Sequence, residues 1–171
     1  LSAPPGLSPV SFSPRAQQKM PARQSRMTRW DFDLNMVASY WGKDRTYHHT
    51  APISMAYALH EALRLVVEEG LEKRWERHLA HHETLKSGLA KLDLKIINPA
   101  GAGLPQLNAV RIPAKADDIT VRQRLLNNHQ IEIGGGLGPL KGKIWRIGLM
   151  GHTANTTTVA RVLNAFKEAL V

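Results

Sequence analysis

Three places in this 171-residue sequence carry side chains whose type and spacing could do chemistry. The first is Arg146, within Trp145-Arg146-Ile147-Gly148-Leu149-Met150. The two-residue period of a strand puts Trp145, Ile147 and Leu149 on one face and sends Arg146 to the other, beside Gly148, where no side chain blocks an approach. An arginine in so apolar a strand needs an anion, and its planar fork matches a carboxylate through two parallel hydrogen bonds. A substrate carboxylate and an internal Asp or Glu are the competing partners. The second place is Tyr47-His48-His49-Thr50, immediately ahead of a helical pattern. A helix start offers unpaired N–H groups and partial positive charge, and the hydroxyls of Tyr47 and Thr50 would add neutral donors suited to a phosphate. The competing reading is Thr50 as a plain N-cap with an aromatic residue packed beside it. The third is His78 with His82, spaced to share one helical face, but no further ligand is positioned by the sequence. A solvated helix face is therefore expected there, and no metal site.

Those side chains must be positioned by elements. Val10 and Phe12, bracketed by Pro9 and Pro14, read as a short strand, and the charged residues from Arg15 to Arg29 are all basic, as on a solvated surface segment. Phe32, Met36 and Tyr40 recur at helical spacing between Trp30 and Trp41. Thr50-Ala51-Pro52 opens a helix that runs to Gly70, and a second helix is expected from Leu71 to about Leu92. Strands and helices then alternate: strands at 94–97, 108–113, 131–133 and 145–150, a Gly- and Pro-rich loop over 98–105, a helix capped by Asp117 or Asp118, and a closing helix striped by Val159, Val162, Leu163, Phe166 and Leu170. Asn155-Thr156-Thr157 is read as the capping region of that helix rather than as a glycosylation sequon. Gly134-Gly135-Gly136-Leu137-Gly138-Pro139 follows a strand but opens no helix, so it is a turn bringing backbone close to something and not a dinucleotide fingerprint.

At 43% hydrophobic residues the chain can bury a core, and no apolar run approaches the roughly 18 residues that a bilayer-spanning helix needs. It contains no cysteine, which excludes a disulfide scaffold, a thiolate zinc site and a cysteine nucleophile, and suits a reducing, cytoplasmic setting. The start, Leu1-Ser2-Ala3-Pro4-Pro5-Gly6, reads as neither a signal sequence nor a translation start, so a piece of a longer polypeptide is expected. A formal charge of +9 favours acidic partners, and on that charge alone a basic module for anions or nucleic acid is an alternative to an enzyme.

The segments Ala3-Pro4-Pro5-Gly6-Leu7-Ser8, Tyr47-His48-His49-Thr50-Ala51-Pro52, Glu69-Gly70-Leu71-Glu72, Gly135-Gly136-Leu137-Gly138-Pro139 and Trp145-Arg146-Ile147-Gly148-Leu149-Met150-Gly151 appear in that order. Together they resemble the C-terminal half of the alanine–glyoxylate and serine–pyruvate aminotransferases, class V members of the fold-type I pyridoxal-phosphate enzymes. The resemblance implies an α/β protein in which residues 1–60 end a large αβα cofactor domain, 61–75 form a connecting helix region and 76–171 a small α+β domain. It implies pyridoxal 5'-phosphate as cofactor and ping-pong transfer of an amino group from alanine or serine to glyoxylate or pyruvate. It further implies a homodimer with shared active sites, with neither nucleic acid nor membrane as a partner. Arg146 matches the family arginine that clamps the substrate carboxylate, while Tyr47 and Thr50 match residues that reach the cofactor phosphate of the neighbouring subunit. The Schiff-base lysine would fall two residues ahead of Leu1, so no catalytic residue is assigned within the chain, which is either a true fragment or, the favoured reading, a polypeptide interrupted at that modified lysine. Another class V enzyme, a lyase, shares the same fold and phosphate logic.

Overall fold

The computed structural model describes residues 1–25, 27–98 and 101–171, and these form two compact units. One comprises Pro4–Leu59. Within it the proline-bracketed segment forms no strand: residues 6–13 lack regular structure, and α1 (Pro14–Lys19) starts at Pro14 behind Ser13, whose hydroxyl accepts from the Ala16 amide. Two prolines remove two ladder donors from so short a run, whereas Ser-Pro satisfies a helix start. The stripe from Trp30 to Trp41 is likewise divided. A single 3-10 turn, Trp30–Phe32, precedes Asp33, whose carboxylate accepts from the amides of Asn35 and Met36 and so starts α2 (Leu34–Trp41).

Here α3 (Ile53–Glu69) begins, ending in the other unit, which comprises Leu1–Ala3 and His60–Val171. There α4 (Leu71–Ala90) follows Gly70, which at φ 84 takes a left-handed backbone that lets the chain turn sharply between two helices. The sheet is antiparallel, ordered β1 (Leu107–Arg111), β3 (Ile144–Gly148), β2 (Gly134–Gly135), so β3 is central. The helices α5 (Asp118–His129) and α6 (Thr156–Ala169) are capped by Asp117 and Asn155, each accepting from an amide of the first turn. The core joins Leu85 and Leu89 of α4 with Val110, Leu125, Trp145 and Phe166, all at 1% exposure or less.

Two expected strands are much reduced. Residues 94–97 keep one bridge, Ile96 to Val110, flanked by backbone bonds from Ile97 to Ala109 and from Arg111 to Lys95. Residues 131–133 are not strand at all, and pairing starts at Gly134. The cause lies just upstream, where Gln130 turns left-handed (φ 55) and the Ile131 amide still bonds the Leu125 carbonyl, so this stretch completes the helix terminus. Of the loop expected over 98–105, Pro99 and Ala100 lie outside the described residues. No helix among the described residues is long and apolar enough to cross a membrane.

Candidate functional site

Arg146 stands on the sheet face turned away from the core. Trp145 and Ile147, its neighbours in β3, are buried, while Arg146 is half-buried and Gly148 exposed. Its partners across the ladder are Ala109 on β1 and Gly134 on β2, the two smallest residue types, so the guanidinium rises from a floor without bulk. A Cβ at Gly134 would lie 3.2 Å from one terminal guanidinium nitrogen, a close approach that the glycine permits. The Nε–H of Arg146 donates to the Gly135 carbonyl at 2.7 Å, and no carboxylate pairs with it among the described residues. The glycine-rich turn thus brings backbone close to Arg146 itself. Asp118 is engaged elsewhere, accepting from Trp145 Nε1 at 3.0 Å and Arg122 Nε at 2.8 Å. Among the described residues, what holds Arg146 is the Gly135 carbonyl and not an ion pair.

Tyr47 and Thr50 come together in the other unit, their hydroxyls 3.1 Å apart and both side chains exposed. Thr50 does not act as the N-cap of α3; its hydroxyl faces Tyr47, and the Ile53 amide bonds the Ala51 carbonyl. Behind this pair, buried His48 donates from Nε2 to the Trp30 carbonyl at 3.0 Å, which leaves its Nδ1 to accept from His49 at 2.8 Å. The rings of His49 and Tyr47 flank Tyr40 at 4.9 and 6.3 Å. This aromatic backing holds the Tyr47–Thr50 segment just ahead of the first turn of α3. The donor set is neutral and exposed, which fits a phosphate.

The histidines of α4 are not a solvated face, as the charged neighbourhood suggested. His78 is buried, donating from Nδ1 to the Arg74 carbonyl at 2.7 Å and accepting at Nε2 from the Gly151 amide at 3.1 Å. His82 donates from Nδ1 to Oδ1 of fully buried Asn108 at 2.7 Å, and Asn108 donates in turn to the Pro105 and Ile147 carbonyls. Helical spacing cannot distinguish a solvated histidine from one that meets a loop some seventy residues away. No group of three or more His, Cys, Asp or Glu able to hold a metal ion occurs among the described residues.

Sequence reasoning also missed an ion-pair hub beside His78. Glu69 accepts from Arg74 at 2.7 Å and, through both oxygens, from Arg77 at 2.5 and 3.0 Å. Arg77 also donates to the carbonyls of Gly151 at 3.0 Å and Ala154 at 2.7 Å. The hydrogen bonds from Arg77 foremost, with those from Arg74, hold the Glu69 carboxyl down to about 2 against the opposing effect of burial. The eight-residue separation of Glu69 and Arg77 spans the break at Gly70, so counting turns along one helix does not reveal it.

The comparisons with known proteins agree across nearly the whole chain. An alanine–glyoxylate aminotransferase from Oryctolagus cuniculus is 39% identical over 174 residues, covering 99% of this chain and 44% of that protein. The crystal structure of an alanine–glyoxylate aminotransferase from Nostoc sp. superposes with a TM-score of 0.87 at 43% identity, over 94% of this chain and 43% of the other. That of a ureidoglycine–glyoxylate aminotransferase from Bacillus subtilis gives 0.93 at 39% identity, over 99% and 44%. No protein-family model matches. The chain spans less than half the length of the curated relatives it matches. The chain shares the fold-type I architecture of these neighbours and is similar over nearly its whole length to the C-terminal half of class V aminotransferases, the alanine–glyoxylate enzymes among them.

Proposed function

We propose that the protein to which this chain corresponds is a pyridoxal-phosphate aminotransferase. In this reading it passes an amino group from alanine or serine to glyoxylate or pyruvate in two half-reactions. One observation carries it: Arg146, half-buried on an apolar strand, gives Nε–H to a backbone carbonyl and has no acidic partner among the described residues. Such a guanidinium suits the carboxylate that amino and 2-oxo acids share. Support for the acceptor comes from the relatives' names, in which glyoxylate recurs. Pyridoxal phosphate, when bound, supplies the electron sink for the transfer.

The chain's own residues would bind and orient. Arg146 takes the substrate carboxylate through two parallel bonds, and its floor of Ala109, Gly134 and Gly148 leaves the approach clear. Tyr47 and Thr50 donate to the cofactor phosphate in the neighbouring subunit of a homodimer, and a lysine just ahead of Leu1 holds and moves the proton. In the same reading residues 1–60 end the cofactor domain, 61–75 connect, 76–171 form the small domain, and the setting is cytoplasmic. The test is peptide mapping of the full-length protein after borohydride reduction. A pyridoxyl-lysine directly preceding the Leu1 segment is expected, and its absence from that position would refute the assignment.

A further inference from the structure

Gly151 lies three residues beyond the end of β3, and side chains of α4 grip both its backbone groups. Its amide donates to His78 and its carbonyl accepts from Arg77, which reaches on to the Ala154 carbonyl while Glu69 holds its other edge through two oxygens. Gly151 itself is left-handed at φ 56, and a Cβ there would stand 2.3 Å from Ser2 Oγ. Ser2 Oγ in turn accepts from the His152 amide at 3.1 Å, and Ser2 also has a left-handed backbone at φ 60. The chain start, α4, the end of the Arg146 strand and the approach to α6 thus meet at one glycine.

We propose that Arg77, aimed by Glu69, and His78 are positioning residues for substrate binding: by fixing Gly151 they set where β3, and so Arg146, stands relative to α4 and to Leu1–Ala3. The proposal rests on the carboxylate role assigned to Arg146. β2 contributes only two residues to the ladder on one side of β3, so an end anchor adds what that short pairing cannot. Arg146 must meet a carboxylate with both bonds aligned, and a shift of about 1 Å in such a clamp costs up to about 100-fold.

The experiment uses full-length, cofactor-loaded enzyme with glycolate, a 2-hydroxy acid that cannot transaminate, its Kd measured by calorimetry alongside Tm and kcat/KM. Arg77→Gln should weaken glycolate about 10- to 100-fold, and the paired Glu69→Gln/Arg77→Gln should show the same loss, since the Gly151 and Ala154 carbonyls still lack their donor. A purely structural hub would lower Tm and leave Kd unchanged, and that result overturns the proposal. Should Arg77→Gln fail to fold, Glu69→Gln alone is read the same way, since it leaves Arg77 its two carbonyl partners but loosens its aim. An unchanged Kd there overturns the proposal, and a loss of about threefold or more supports it. Arg146→Ala separates the two readings: if it leaves glycolate binding intact, the carboxylate assignment falls, whereas if it abolishes binding while the hub variants do not, only the positioning role falls.

Discussion

A guanidinium carries five N–H donors, and Arg146 commits Nε to the Gly135 carbonyl, which aims the fork without neutralising it. Arg146→Lys keeps the charge and loses the planar pair; Arg146→Ala loses both. Each should therefore impair kcat/KM for amino acids, Ala by about 2–5 kcal/mol of transition-state binding and Lys by less. Because no acid among the described residues pairs with Arg146, thermal unfolding of both variants should stay near that of the parent. An unfolded Arg146→Ala protein, or an unchanged kcat/KM, would contradict the assignment. Gly134 is the companion test: a Cβ there would meet the guanidinium at 3.2 Å, so Gly134→Ala should raise KM by pushing the fork aside with little effect on Tm. Arg146 was legible from sequence because strand alternation alone isolates it from its apolar neighbours. His78 was not, since its partner Gly151 is 73 residues distant and only the tertiary fold brings the two together.

At the scale of elements, helices with side-chain caps were legible. Asp117 and Asn155 sit where short polar side chains precede apolar stripes, and both accept from first-turn amides. Removing the Asp117 cap by Ala substitution should cost about 1 kcal/mol, read as a lowered urea midpoint with an unchanged slope. Alternation names a face and not a pairing partner, so of the strands expected at 94–97 and 131–133 the first keeps a single bridge and the second belongs to the end of α5. Gly136 shows how tightly the turn before β3 is built, for a Cβ there would lie 2.0 Å from the Leu140 carbonyl oxygen. Backbone cannot yield as a side-chain tip can, so Gly136→Ala should destabilise by about 1–3 kcal/mol and disturb the Gly135 carbonyl that aims Arg146. The hub between α3 and α4 has a pH signature. The Glu69 carboxyl, held down to about 2, titrates below its unfolded value, so its contribution to stability is complete above about pH 4.5 and is lost as pH falls toward 2. Denaturation of the parent and of Glu69→Gln across pH 2–6 should show a gap that narrows on acidification; a constant gap would remove the hub from the stability of this unit.

The chain spans less than half the length of its curated relatives, and several large apolar side chains lie exposed on it. Tyr57 is 73% exposed, Val67 81% and Trp75 58%, all on α3 and α4. Produced as this segment alone, the chain should therefore aggregate beyond a dimer and bind a hydrophobic dye, whereas full-length protein should stop at the dimer and leave the dye unbound. The proposed sharing of sites also belongs to this scale. Tyr47→Phe with Thr50→Val removes two hydroxyls and should weaken cofactor retention by about 1.5–3 kcal/mol for each hydrogen bond to the phosphate, measured by dialysis and absorbance of the dimer.

The contact between Ser2 and His152 bridges 150 residues, with Pro4–Leu59 leaving the unit and returning to it in between. Closing so long a loop carries an entropic cost that local helices never meet. During synthesis Ser2 waits for 150 further residues before its partner exists. So late a closure predicts a contact absent from the folding transition state, so that loosening Ser2 should quicken unfolding while leaving the refolding rate almost untouched.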